Sequence, residues 1–413
     1  MSFVMSAGLE QIETSLSRAP ERSSNRFVLV QECFRHFDIN RVGTDGTHIS
    51  LFEMPAAFEF GPDGDLGIIR KLWTLATSVL GIDKNRIWVS YFKGGKVLGD
   101  YLPSDNATRQ AWIDVGVPIN HIIGLGPDEN YWVQGVSING QDLLRKAGPN
   151  TELFYEIGNH STCSTDCLPG CKCGRFVEFS NTLFICSELD PDGKSQIPME
   201  EPFVETVIGT ERVAMILQGA QTVFDTDAYR SIIEIIRNYV CAPDLSDTSI
   251  TAGERIIADH LKALYILVMD GAPPPGKDGR ERIIKLLIRR VITQQIILGI
   301  SSQDFLHNTL VSISETLNNG LNATPEDEKR VKDYFSSEKV RFLKTIQNGK
   351  QKLERMLTEN QGCTLSGEQI VCLEKRWGLP HPLVGKMLLE KGVVFAEGEY
   401  AEALYIWRKT LNN

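Results

Sequence analysis

The sequence predicts an α+β protein, an antiparallel sheet with flanking helices followed by an all-helical domain. Three observations predict it. Short runs rich in β-branched and aromatic residues, bounded by turn formers, fill the first half. From about residue 225 onward apolar residues recur at helical spacing. Pro273, Pro274, Pro275 and Gly276 then force a stop within that pattern, because proline lacks the amide hydrogen and excludes helix before it.

Taken in order, residues 27–30, 50–60, 86–92 and 176–185 are the predicted strands, with Pro55 expected to break the second. Between them, residues 66–80 place Ile68, Ile69, Leu72, Leu75, Ala76 and Val79 at helical spacing. Gly124, Gly126 and residues 191–193 mark turns. Asp225 or Thr226 is expected to cap a helix carrying Ile232, Ile233, Ile235, Ile236 and Tyr239. A second helix is expected from Glu254, burying Ile256, Ile257, Leu261, Leu264 and Val268, and a third from Arg280 to Ile300. Residues 326–359 are charged on most faces and read as a solvated helix, a possible spacer. The boundary is placed near residues 241–247, giving domains 1–240 and 241–413.

Composition bounds the function. With 42% apolar and 23% charged residues, the 413-residue chain is ordinary for a globular protein of two domains. A net charge of −10 argues against general coating of nucleic acid, though not against a local basic site. The first ten residues carry no basic leader, and the apolar stretch 283–300 is broken by Lys285, Arg289 and Arg290. A cytoplasmic protein without membrane contact is expected.

Two arginines invite a phosphate-binding reading, since a guanidinium can bond two phosphate oxygens at once. Arg35 ends the run VQECFR and is followed by a loop and a second strand, HISLFEM, that carries Phe52. Arg212 lies in GTERVAMILQ, where Gly209 precedes an amphipathic helix. Read alone, a surface arginine beside a core phenylalanine, or an exposed Glu–Arg pair on a helix, explains either segment.

The segments together resemble the alanyl-tRNA synthetases, a class II family. HISLFEMPAAFEFG is similar to that family's second signature motif and GTERVAMILQ to the third. GPNTELFY, RFVEFSN, ERIIADHLKALYILVMDG and TLSGEQIVCLEKRWGLP fit further family segments in collinear order over nearly the whole chain. The resemblance implies a class II synthetase sheet followed by a helical domain that recognises a tRNA acceptor end. It also implies a truncated paralogue without an editing domain. Arg35 would contact the α-phosphate of ATP, Phe52 would stack on adenine beside Glu53 and Gly209, and Arg212 would close over the nucleotide. Trp132, Asn181, Glu205 and Val207 would form the amino-acid pocket, with Glu205 pairing the substrate ammonium. ATP with Mg2+, and alanine or a similar small amino acid, are the implied ligands.

Departures from the family stand beside this. Its Asp-Thr-Gly-Met-Gly reads Glu205-Thr206-Val207-Ile208-Gly209, a carboxylate longer by one methylene and a valine for a glycine facing the ligand. A methylene in such a pocket is worth ~1–3 kcal/mol of discrimination. Thr44-Asp45-Gly46-Thr47 stands where the family carries an arginine near the histidine, and residues 136–146 look inserted.

Cys163, Cys167, Cys171 and Cys173 fall within a loop expected over residues 160–175 and offer four thiolates for a tetrahedral zinc site, with His160 in reserve. Disulfides and free thiols are the alternatives. His260 reads as a packing or hydrogen-bonding residue. Lys277, Arg280, Arg282, Lys285, Arg289 and Arg290 form a basic run suited to an acceptor-stem backbone, or else a solvated helix face. The family's two base-pair readers are absent: their neighbourhoods read Pro275-Gly276-Lys277-Asp278 and Gly378-Leu379-Pro380-His381-Pro382. Three functions follow: ligation of the amino acid to tRNA, transfer of the acyl group to a small-molecule acceptor such as a nucleoside or amine, or an inactive binding or regulatory protein on the same fold.

Overall fold

A computed structural model describes residue 12 and residues 26–61, 66–134, 145–158, 163–164, 167–190, 195–317, 323–359, 364–393 and 397–411. The reserve ligand His160, the turn at 191–193 and nearly all of the inserted-looking stretch at 136–146 lie outside the described residues. Two compact units result. The first joins 1–37 to 45–228, and the second joins Asp38–Thr44 to Tyr229–Asn413.

The first unit is built on an eight-stranded sheet. Its strands are β1 (Arg26–Phe34), β2 (Leu51–Phe60), β3 (Ile87–Phe92), β4 (Ile122–Leu125), β5 (Tyr131–Val133), β6 (Lys146–Glu156), β7 (Phe176–Leu189) and β8 (Gln196–Ile208). The order is β1-β2-β8-β7-β6-β3-β4, with β5 on β6; only β3 and β4 run parallel. Apart from the parallel β3–β4 pair, this is the predicted fold class, an antiparallel sheet with flanking helices followed by helices alone.

Pro55 does not break β2. The ladder to β8 ends at Ala56, so Pro55 lies one residue beyond it, where a missing amide hydrogen is tolerated. The helix at 66–80 forms in two parts, α1 (Gly67–Thr74) and a π-helical turn, Leu75–Val79, closed by the Leu80 amide on the Leu75 carbonyl at 2.9 Å. A further helix, α2 (Asn106–Asp114), opens on an Asp105 cap and buries Trp112, whose indole N–H donates to Thr151 at 2.8 Å.

Register sorts the side chains. Glu205 pairs with both Phe58 and Leu183, and Val207 with both Ala56 and Asn181, so these residues share one face of the sheet. Part of that face is core, where Ala56, Phe58, Phe60, Ile185 and Phe203 pack with Trp132 and Val207. Gly148 sits opposite Trp132, and a Cβ there would meet the Phe184 carbonyl oxygen at 1.8 Å, so only glycine lets β6 pass this close to β7.

In the second unit α4 (Arg230–Arg237), α5 (Asp247–Met269), α6 (Gly279–Ile297), α7 (Phe305–Leu317), α8 (Pro325–Glu359), α9 (Gly367–Trp377), α10 (His381–Glu390) and α11 (Glu397–Leu411) follow one another. Asp225 caps no long helix. It closes a capping box with Thr222 around a 3-10 turn, and α4 starts at Arg230. Ser246 caps α5, which therefore begins at Asp247 and not at Glu254. The charged helix α8 is also more than a spacer: Val331, Phe335, Glu338, Phe342, Ile346, Gly349 and Leu353 form a buried seam at three- and four-residue spacing. No described helix is long and apolar enough to cross a membrane.

Candidate active site

The antiparallel pairing of β1 and β2 sets Cys33 opposite Phe52, and the Arg35 amide bonds the Ser50 carbonyl at 2.9 Å. The Arg35 guanidinium lies 4.9 Å from the centre of the Phe52 ring. The turn entering β2 is closed by Asp45, which accepts from the Thr47 and His48 amides at 2.9 Å each and holds His48 Nδ1 at 2.6 Å. Burial pushes this carboxyl up, but those bonds and the His48 ring hold it well below the usual carboxylate range. Asp45 thus works as a turn brace.

Glu53 ties this hairpin to the helix α3 (Thr210–Leu217) that follows β8. Its amide donates to Glu211 Oε1 at 3.0 Å, and its carboxylate accepts from Thr210 Oγ1 at 2.9 Å. Phe52 and Arg212 are thereby the chain neighbours of two residues bonded to each other. Arg212 Nη1 donates to the Glu178 carbonyl at 2.7 Å and reaches Glu178 Oε2 at 3.3 Å. The amide of Gly209, between β8 and α3, donates to the Phe179 carbonyl of β7 at 3.0 Å.

A β-bulge explains how Glu178 reaches this place. β6 and β7 pair Leu153 with Ser180 and then Phe154 with Glu178, leaving Phe179 as the extra residue. The bulge turns Glu178 to the face carrying Glu152 and Asn181, which regular alternation would deny it. Burial, with the nearby carboxylates of Glu178 and Glu129, pushes the Glu152 carboxyl up to about 9 against the pull of Arg212. A polar chain continues from it. Asn181 Nδ2 donates to Glu152 Oε1 at 3.3 Å, and the buried Asn150 donates to Asn181 Oδ1 at 3.2 Å and to the Glu129 carbonyl at 3.4 Å. Glu152, Glu178, Glu129 and Asn150 were not singled out in the sequence, although Asn150, Glu152 and Glu178 stand inside two of its quoted segments.

The four cysteines also meet. Their sulfurs all lie within 4.8 Å of one another, with Cys163–Cys171 at 3.3 Å and Cys167–Cys173 at 3.5 Å. Four sulfurs at ~2.3 Å from one ion would sit about 3.8 Å apart, so the cluster fits a tetrahedral metal site. Cys167, Cys171 and Cys173 pack on Trp88, Phe154 and Phe176, and Arg175 bridges the Cys167 carbonyl to Glu156. Crowding by the other thiols pushes the Cys163 thiol up to about 12, which a bound cation would reverse.

The basic run divides. Lys277, Arg280 and Arg282 are exposed and Lys285 is half-buried. Arg289 and Arg290 are committed inside the helical unit, which corrects their expected place on a basic face. Arg289 bonds the buried Glu338 at 2.6 Å and lies over the Phe342 ring, while Arg290 bonds His260 at 2.8 Å. Their positions on α6 turn them toward neighbouring elements, which a linear charge count does not register. His260 is a buried hydrogen-bonding residue, as expected.

A family model described as "tRNA synthetases class II (A)" matches residues 3–409. The chain belongs to the class II alanyl-tRNA synthetase family. It is 28% identical over 404 residues to an alanine–tRNA ligase of Alkaliphilus metalliredigens, covering 96% of this chain and 43% of that protein. It is 30% identical over 400 residues to one of Dehalococcoides mccartyi strain CBDB1, covering 95% and 43%. A third, from Thermotoga petrophila, is 30% identical over 371 residues, covering 89% and 41%. The chain thus spans about two-fifths of the length of these relatives.

Proposed function

We propose that this synthetase-family chain activates a small amino acid, alanine or a close analogue, with ATP and passes it to a tRNA acceptor end. A carboxylate oxygen of the amino acid attacks the α-phosphorus, pyrophosphate leaves, and the acceptor hydroxyl then displaces AMP from the mixed anhydride. The carrying observation is the arginine–phenylalanine pair on β1 and β2, tied through Glu53 to the helix bearing Arg212. Arg35 grips the α-phosphate, Phe52 stacks on adenine, and Arg212 lies over the nucleotide while Glu178 holds its guanidinium in place.

Glu152 and Glu178, brought to one face of the sheet by the bulge at Phe179, are the carboxylates that would hold Mg2+, which when bound would offset phosphate charge. Trp132 and Val207 wall the amino-acid pocket, Asn181 faces the substrate carboxylate, and Glu205 pairs the ammonium. A valine at 207 in place of the family's glycine narrows the pocket toward a small side chain. The four cysteines hold a structural Zn2+ that leaves no open position for chemistry. In this reading the helices from Tyr229 onward present Lys277, Arg280, Arg282 and Lys285 to an acceptor-stem backbone.

One observation favours a second reading. With Arg289 and Arg290 engaged internally, the basic face is small, which suits transfer to a nucleoside or amine. Amino-acid-dependent exchange of pyrophosphate into ATP, screened over the twenty amino acids, tests the activation step. Exchange with none of them would leave only an inactive binding protein. A mobility shift by total tRNA that weakens with salt supports the tRNA acceptor, and no shift supports the small molecule.

A further inference from the structure

The loop that follows Arg35 belongs with the helices. Asp38–Thr44 groups with the unit that begins at Tyr229, although it is joined through only His36 and Phe37 to Arg35. Ile39 and Val42 are each 1% exposed. Gly43 has φ +86°, and a Cβ there would lie 2.8 Å from the Ala252 carbonyl oxygen and 2.9 Å from Ile256, so the loop backbone rests directly on α5.

Arg290 on α6 bonds the same loop twice. Its Nη1 donates to Asn40 Oδ1 at 3.1 Å and its Nη2 to the Ile39 carbonyl at 3.0 Å. The third donor, Nε, bonds His260 Nε2 at 2.8 Å. A guanidinium only donates, so His260 Nε2 must accept and the ring proton sits on Nδ1. That proton is donated to Asp259 Oδ2 at 2.7 Å, with both residues fully buried. The relay aligns the guanidinium along Nε and leaves its fork for Ile39 and Asn40.

We propose that Arg290, oriented by His260 and Asp259, is a positioning residue for nucleotide binding: it anchors the loop that His36 and Phe37 join to Arg35, and so restrains the chain that carries that arginine. The inference rests on the reading of Arg35 as a phosphate ligand. It goes beyond that reading by assigning the function of three buried residues. Arg290 contributes nothing to a basic surface in this account.

Two variants test it. Arg290→Met removes the anchor, and Gly43→Ala crowds the loop against α5 without changing the identity of any helix residue. Arg41 is exposed between the buried anchors Ile39 and Val42, so trypsin cleavage after Arg41 reports release of the loop directly. The full-length protein of each variant should be cut there about tenfold faster than the wild type, because cleavage follows the population of the open form. The KM for ATP in pyrophosphate exchange should rise about tenfold with a smaller change in kcat, and total-tRNA binding by Arg290→Met should match the wild type where the wild type binds. Wild-type rates of cleavage after Arg41 in both variants would overturn the anchor. Faster cleavage with an unchanged KM for ATP would overturn its link to Arg35. If the wild type itself shows no exchange, the activation reading fails while the cleavage comparison still judges the anchor.

Discussion

Replacing Glu152 by glutamine should make the protein more stable at neutral and alkaline pH while depriving the site of a carboxylate. The wild-type carboxyl titrates at about 9 in the folded protein against 4.5 for an ordinary glutamate. A folded value raised in this way means that stability is complete below the unfolded value and is lost as pH climbs from about 4.5 to about 9. Each unit is worth about 1.36 kcal/mol, so at pH 7 the ionisable side chain costs up to about 3 kcal/mol relative to a neutral isostere. Water reaching the half-buried group and relaxation of Glu178 reduce this to roughly 1–3 kcal/mol. Glutamine keeps the Oε1 acceptor for Asn181, so the substitution removes charge without orphaning the amide. Thermal unfolding without added divalent cation is the assay, at about 2–4 °C per kcal/mol for a unit of this size. The Glu152→Gln advantage should grow from below about 1 kcal/mol at pH 5 to its largest near pH 9. A variant less stable than the wild type, or an advantage independent of pH, would refute the account of crowded carboxylates.

Other outcomes follow from the same geometry. Cys171→Ser should lower bound zinc from about one ion per chain to a small fraction of that, measured by elemental analysis, and should lower the melting temperature. Among the described residues, Arg289→Ala leaves the 1%-exposed Glu338 with Arg341 at 3.7 Å as its remaining cation, so urea unfolding should show a loss of roughly 3–5 kcal/mol. A loss under about 1 kcal/mol would return Arg289 to the surface role the sequence suggested. Asn150→Leu frees Asn181 to reverse its amide, and the KM for the amino acid in exchange should rise roughly tenfold with kcat less affected.

What was legible in the sequence depended on how local the cause was. The helices α5 and α6 were visible because their buried residues recur at short spacing, and the Phe52 strand was visible from its aromatic content. Pro55 misled because its tolerance depends on where a neighbouring strand stops pairing. The seam of α8 hid beneath a high charge count, since only one residue in three or four faces inward. Among the candidate residues, Arg35, Phe52 and Arg212 could be named only because their segments, taken together, resemble a known family. Glu178 could not be aimed, because its direction depends on a bulge at Phe179. The roles of Arg289 and Arg290 depend on partners 49 residues away in one case and 250 in the other, beyond any periodicity.

The central claim is that Arg35 and Arg212 hold one nucleotide. Calorimetric titration of ATP into the wild type, Arg35→Ala and Arg212→Ala measures it without knowledge of the amino acid or the acceptor. Each arginine makes charge-assisted bonds worth about 1.5–3 kcal/mol, so each substitution should weaken ATP binding by at least about tenfold while the fold is retained. Wild-type affinity in either variant would contradict the claim.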